Sequence, residues 1–309
     1  MDLPGSAPMW ETVKSGFVAL AGRPNAGKST LLNAVAGTKI AITSHVPQTT
    51  RHRLRAIIDR DDSQMVLIDT PGMHKPHDVL GEELNRSTLL ALADVDVVCF
   101  VVDATATVGS GDRWVAAHIA QSRAAKVLVV TKVGLVDEPR LARQIDAART
   151  LANFDDVVAV SALEGFNVEG FVECVLQFLP DGPRYFPRDM PTDQPIEVMM
   201  AEFVREKVLL FAREEVPHAV GVVIDDVEWP ESDDGLTRIS ATVFVERESQ
   251  KGIIVGKRGE MIKRVGTDAR HDLERLLGTR VYLDLVVKVK KNWRRDASQI
   301  RRFGYGEGL

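Results

Sequence analysis

Gly22-Arg23-Pro24-Asn25-Ala26-Gly27-Lys28-Ser29 decides the fold of the front half of this chain. The apolar run at residues 17–21 before it and the helical pattern at 28–35 after it supply the strand, loop and helix that a phosphate cradle requires. The two glycines let backbone N–H groups close around phosphate oxygens. Lys28 reaches the outer phosphates, the Ser29 hydroxyl is placed to ligate Mg²⁺, and Thr30 completes the nucleotide-binding residues of the cradle. A chance match to such a pattern in a chain of this length is on the order of one in a hundred, which disfavours a plain glycine-rich turn.

From the cradle outward, residues 64–69, 95–103, 125–131 and 156–160 read as short apolar strands, with helical periodicity between them. That alternation predicts an α/β domain with a parallel-rich sheet wrapped by helices. Asp69-Thr70-Pro71-Gly72 closes one strand, where Asp69 holds Mg²⁺ through water and the Gly72 N–H meets a γ-phosphate. Gln48-Thr49-Thr50-Arg51-His52 lies in a stretch without periodicity, as expected of a switch segment. Thr50 is the candidate for a second metal-ligating hydroxyl. The catalytic set is therefore Lys28, Thr50 and Gly72.

The 309 residues allow about two domains. Two cysteines, Cys99 and Cys174, argue against a disulfide framework or a Cys-based zinc site and fit a reducing cytosol. The N-terminus has no signal-peptide pattern, and the longest apolar tract, residues 89–102, carries Asp94 and Asp96. Cytoplasmic placement follows as the expectation, with peripheral contact at the inner face of the cell membrane left open. The net charge of −5 hides an asymmetry. Residues 1–180 carry 17 basic against 21 acidic side chains, whereas residues 251–302 carry 15 against 6. A local basic excess of that kind suits a polyanion.

Five prolines at 180, 183, 187, 191 and 195 mark a linker. Beyond it the pattern predicts a helix over residues 196–214, strands over 219–229 and 237–246 joined by a turn at 230–235, two helices around Gly256-Lys257-Arg258-Gly259, and a last strand over 280–290. A Gly-x-x-Gly is by composition expected about once in such a chain, so its setting between helices carries the weight. There two glycines let backbone approach a single strand, while Lys257 and Arg258 meet phosphates. Lys263 and Arg264 on the next helix extend that track. Ile262, Val265, Ala269, Leu273 and Leu276 form its apolar stripe. Trp293 among basic residues offers either a stacking surface or a packed side chain, and Arg205 and Lys207 are expected to be exposed.

Taken together, Gly-Arg-Pro-Asn-Ala-Gly-Lys-Ser, Gln-Thr-Thr-Arg-His, Asp-Thr-Pro-Gly and Val160-Ser161-Ala162 resemble the Era family, bacterial GTPases of the TrmE-Era branch that assist small-subunit assembly. The resemblance runs from the cradle to Gly304-Tyr305-Gly306. It implies an N-terminal extension at 1–13, a P-loop GTPase domain at 14–180, the linker at 181–195 and an α+β type II KH domain with its tail at 196–309. It further implies a slow GTPase, normally monomeric, that binds GTP and GDP with Mg²⁺. Its RNA partner would be the 3′ end of small-subunit ribosomal RNA on the 30S subunit. Thr131, Lys132, Ser161 and Ala162 would surround the guanine, and Asn25 corresponds to a residue that helps bind K⁺ in related GTPases.

One motif departs from the family. Where Asn-Lys-x-Asp is expected, the chain reads Thr131-Lys132-Val133-Gly134. The absent aspartate would accept two hydrogen bonds from the guanine edge, each contributing roughly 1.5–3 kcal/mol. Gly134 therefore predicts a weakened guanine preference with phosphate and Mg²⁺ binding retained. Asp137 lies three residues too late to substitute. Met73, after Asp-Thr-Pro-Gly, cannot align an attacking water, which predicts slow intrinsic hydrolysis. Two other readings stay open: an RNA-binding assembly factor with vestigial hydrolysis, and a purine NTPase of relaxed specificity.

Overall fold

The computed structural model describes residues 12–76, 78–212, 216–232 and 235–305. The N-terminal extension up to residue 11, the expected helix end at 213–214, the turn residues 233–234 and Gly306 lie outside the described residues. The chain divides into two compact units, one of residues 1–41, 53–74 and 88–193, the other of residues 42–52, 75–87 and 194–309.

The first unit contains β1 (Val13–Gly22), α1 (Lys28–Ala36), β2 (Leu54–Asp59) and β3 (Ser63–Asp69). The helix α2 (Val79–Ala93) begins in the second unit and continues in the first from Thr88. Then come β4 (Val97–Asp103), α3 (Ser110–Ile119), β5 (Ala125–Thr131), α4 (Glu138–Arg149), β6 (Asp156–Ala159), α5 (Val168–Leu176) and the two-residue β7 (Asp181–Gly182). The sheet runs β2-β3-β1-β4-β5-β6, all parallel from β3 to β6, with β2 antiparallel on β3 and β7 paired to the start of β1. Alternation along β1 sends Val18 and Leu20 to one face, with Leu31 of α1 and Phe171 of α5, and Ala19 and Ala21 to the other, with Phe100, Val115 and Ala148. Both faces are covered, so the central strands are continuous apolar runs.

The sequence reading omitted β2, whose six residues pair with a single neighbour. The proline-rich residues after β7 run beside it and are firmly bonded. Gln64 Oε1 accepts from the Tyr185 and Phe186 amides at 2.7 and 2.9 Å, and the Pro191 carbonyl accepts from Ile57 N at 2.9 Å. Arg184 pairs with Asp59 at 2.5 Å, and Arg55 with Asp193 at 2.7 Å. Prolines cannot donate to a ladder, so side chains and isolated carbonyls carry the attachment.

The second unit holds α6 (Ile196–Phe211), β8 (Gly221–Glu228), β9 (Leu236–Val245), α7 (Glu248–Val255), α8 (Glu260–Leu277), β10 (Arg280–Val289) and α9 (Ala297–Arg302). β9 is central, antiparallel to β8 and parallel to β10. This helix-strand-strand-helix-helix-strand order is the type II KH fold. Its core joins Phe203 and Val204 of α6, Ile239 and Val243 of β9, and Val265, Ala269 and Leu273 of α8. Leu80 and Leu84 pack in a smaller cluster with Trp293, Ile300, Phe303 and Tyr305.

One open alternative is decided here and one expectation is corrected. Trp293 is fully buried and its indole N–H donates to the Ala219 carbonyl at 2.9 Å, so it packs and offers no stacking surface. Arg205 is also fully buried, because Glu202 one turn earlier neutralises it at 2.5 Å. Lys207 is nearly covered as well, pairing with Asp272 at 2.5 Å.

Candidate functional site

β1 ends at Gly22 and α1 begins at Lys28, so the cradle is the five-residue turn between them. Two residues of that turn, Asn25 at φ 62° and Gly27 at φ 93°, take left-handed backbone. Gly27 is the helix N-cap and has no side chain to bond the first-turn amides, which leaves those N–H groups and the helix dipole for an anion. Lys28 is buried, and its ammonium donates to the Gly22 and Arg23 carbonyls at 3.2 and 3.0 Å across the mouth of the loop. Burial lowers its pKa to about 8, against the raising effect of Asp69. Arg23 is tied to Asp112 of α3 at 3.0 Å.

The Asp69-Thr70-Pro71-Gly72 segment presses on the cradle. Ser29 Oγ donates to Asp69 Oδ2 at 2.5 Å, Thr70 Oγ1 to the Leu20 carbonyl at 2.7 Å, and Met73 N to the Gly22 carbonyl at 3.0 Å. A Cβ on Gly72 would stand 2.6 Å from Pro24 N and Cα, so only glycine fits. Ser29 and Asp69 offer a hydroxyl and a carboxylate side by side, hard oxygen donors that suit Mg²⁺ completed by phosphates and water. Met73 is fully buried with Ala19, Ala21 and Leu92, which removes it from any role toward water.

On the base side, Thr131 Oγ1 lies 2.6 Å from the Ala26 carbonyl and 3.2 Å from that of Val102, locking the end of β5 to the cradle. Lys132, at φ 60°, donates to Asp103 Oδ2 at 2.6 Å and to the Asn25 carbonyl at 2.8 Å. Partial burial pushes the Asp103 carboxyl up, but hydrogen bonds from Lys132 and Thr105 outweigh it and hold it below its ordinary value. Ser161 and Phe166 exchange both backbone hydrogen bonds, at 3.1 and 3.0 Å, closing a tight loop that carries Ala162 and Glu164. Asp137 caps α4, accepting from Arg140 N at 2.8 Å, and is committed there. Sequence reasoning overlooked Asp103, Asp112 and Glu164. Only Glu164 had a local signal, two residues after Ser161-Ala162.

Thr49, Thr50, Arg51 and His52 belong to the second unit and are buried in it. The Arg51 guanidinium donates to the Val220 and His218 carbonyls at 2.5 and 3.0 Å and lies over the Trp293 and Tyr305 rings. Burial and the Arg205 charge lower its pKa to about 10, against Tyr305 and Glu202.

In the same unit, Gly256-Lys257-Arg258-Gly259 turns α7 into α8. Gly256 at φ 74° and Gly259 at φ 81° need glycine, and a Cβ on Gly256 would meet Met261 Cβ at 2.6 Å. Lys257 and Arg258 are exposed at the tip, Arg258 itself at φ 54°. Lys263 is exposed on the first turn of α8. Arg264 lies 4.1 Å over the Phe211 ring, so its stem serves packing as well as charge.

A phosphate cradle meeting Asp-x-x-Gly on a parallel sheet, with a KH fold on the same chain, defines a P-loop GTPase carrying an RNA-binding module. A family model described as 50S ribosome-binding GTPase matches residues 17–132, and one described as KH domain matches residues 215–294. GTPase Era of Mycobacterium avium is 48% identical over 94% of this chain and 99% of that protein; GTPase Era of Staphylococcus haemolyticus is 43% identical over 95% and 98%. The crystal structure of a point variant of Aquifex aeolicus Era bound to GDP·AlF₄⁻ is 36% identical, with a TM-score of 0.91 over 96% of this chain and 100% of that one. Era in complex with MgGDPNP and nucleotides 1506–1542 of 16S ribosomal RNA matches with the same values. The chain belongs to the Era family of GTPases.

Proposed function

We propose that this GTPase is a slowly hydrolysing switch whose KH domain binds the 3′ end of small-subunit ribosomal RNA and assists assembly of the 30S subunit. The carrying observation is that one chain holds both the Ser29–Asp69 pair inside a phosphate cradle and an exposed Lys257-Arg258 tip between two glycines. A relative aligned over 96% of the chain is described with both MgGDPNP and 16S ribosomal RNA, which supports uniting the two sites in one function.

In the nucleotide site the cradle amides and Lys28 bind and orient the phosphates, and Gly72 N–H meets the γ-phosphate. Ser29 and Asp69 would hold Mg²⁺, with Thr50 as the candidate further hydroxyl in the GTP state; the ion would supply neutralisation of the phosphate charge. We also infer that K⁺ binds beside Asn25, which a rate of hydrolysis unchanged between K⁺ and Na⁺ would refute. The state we infer is a cytoplasmic monomer, checked by light scattering and by fractionation, the latter also reading association with the inner membrane face. Among the described residues no helix is long and apolar enough to cross a membrane.

The test is fluorescence anisotropy of a labelled single-stranded RNA from the 3′ end of small-subunit RNA, titrated with protein in GTP and in GDP. Nanomolar-to-micromolar binding that depends on the bound nucleotide is expected. Equal binding in the two states would reduce the protein to an RNA-binding factor without a switch.

A further inference from the structure

Gly134 is not open space. A Cβ built there would lie 2.5 Å from both Cδ and Oε1 of Glu164 and closer still to Oε2. The Glu164 carboxylate thus fills the volume in which a side chain at position 134 would begin. Thirty residues separate the two in sequence, and three backbone features bring them together. Val133 N donates to the Val160 carbonyl at 3.4 Å, the Ser161–Phe166 exchange closes the loop, and Gly165 at φ 68° turns its tip.

We infer that Glu164 supplies the carboxylate that reads the N1–H and 2-amino edge of guanine, replacing the aspartate lost at position 134. This rests on the guanine-nucleotide reading of the site. The residue needed for that role carries two acceptor oxygens, reaches the position from a fixed loop and is not consumed by another partner. Glu164 meets each requirement. It is exposed, and among the described residues no group donates to its carboxylate. Lys132, the cation beside the base site, is engaged with Asp103 and Asn25 instead. Glutamate is one methylene longer than aspartate, which suits a residue reaching in from the neighbouring loop. An aspartate at 134 would displace the flexible end of Glu164 and repel its charge, so the two carboxylates compete for one place. The loss of selectivity expected from Gly134 alone is thereby offset.

The test is calorimetric titration of GDP, ADP and XDP into the full chain with Mg²⁺. It compares the parent with Glu164→Ala, Glu164→Gln and the double variant Gly134→Asp/Glu164→Ala. The parent is expected to prefer GDP over ADP. Glu164→Ala should lose GDP affinity by about 10- to 100-fold while ADP affinity stays unchanged. That unchanged ADP value shows that the cradle remains folded. Glu164→Gln, which presents a donor to position 2 of the base, should gain XDP relative to GDP. The double variant should recover GDP preference. An unchanged GDP:ADP ratio in Glu164→Ala, on a parent that prefers guanine, would overturn the assignment and leave the GTPase reading intact. A parent with no preference for guanine would overturn the assignment too, and would make the protein a purine-tolerant NTPase.

Discussion

Glu202 and Arg205, one turn apart on α6 and both buried, form an ion pair at 2.5 Å, and the same guanidinium donates to the Thr49 carbonyl. The pair thus holds the backbone of Thr49 within the second unit. Burial alone would push the Glu202 carboxyl up, but the Arg205 charge and hydrogen bond, with help from His52, hold it well below the ordinary carboxylate range. A carboxyl depressed on folding stabilises above its unfolded pKa, about 4.3, and loses that contribution as pH falls toward its folded value. The second unit should therefore lose stability progressively below about pH 4. Glu202→Ala, which strands a buried guanidinium, should cost about 3–5 kcal/mol. Thermal melts at pH 7 and pH 3 check both statements; equal destabilisation at the two pH values would show that the charge is not the cause.

Lys28 has its pKa lowered to about 8 by burial, with Asp69 opposing. Between that value and the unfolded value of about 10.4 the unfolded chain holds more protons, so this group makes the nucleotide-free protein more stable as pH rises through the window. Phosphates bind the charged form, so GTP binding at pH 8.5 should take up a proton. Calorimetry in buffers of different ionisation enthalpy reads this directly. Affinity should fall above pH 8, and Lys28→Gln should abolish the proton uptake.

Ser29 and Asp69 are paired oxygen donors beside the cradle. Ser29→Ala should lower GTP affinity in Mg²⁺ by about 10- to 100-fold and leave affinity in EDTA unaltered. A loss of equal size in EDTA would place the hydroxyl on the phosphate instead.

The tip of the Gly-x-x-Gly turn exposes Lys257 and Arg258. Replacing both with alanine should remove two phosphate contacts and reduce the slope of log affinity against log salt by about 1.4. GTP hydrolysis without RNA should not change. Gly256→Ala differs in kind: its Cβ would meet Met261 at φ 74°, so it should lower the melting temperature as well as RNA affinity.

Much of this protein is local chemistry, and local chemistry is legible in the order of residues. The cradle, Asp69-Thr70-Pro71-Gly72 and the buried strands of the first unit depend on short-range backbone geometry and apolar periodicity, so their positions follow from neighbours in the chain. The KH element order is equally readable, whereas β2 of the first unit, a short edge strand with a weak pattern, is not.

Other features have no sequence signature. Arg205 reads as one more basic helix residue, and only the tertiary fold places Glu202, Thr49 and the surrounding apolar side chains around it. Trp293 could stack or pack until the Ala219 carbonyl was seen to accept its N–H. Gly134 looks like a deletion of function in the chain order, while in space the Glu164 carboxylate stands over it. A motif declares which groups are present within a few residues, but which side chain fills a vacated volume depends on contacts between segments far apart, and those exist only once the backbone has closed.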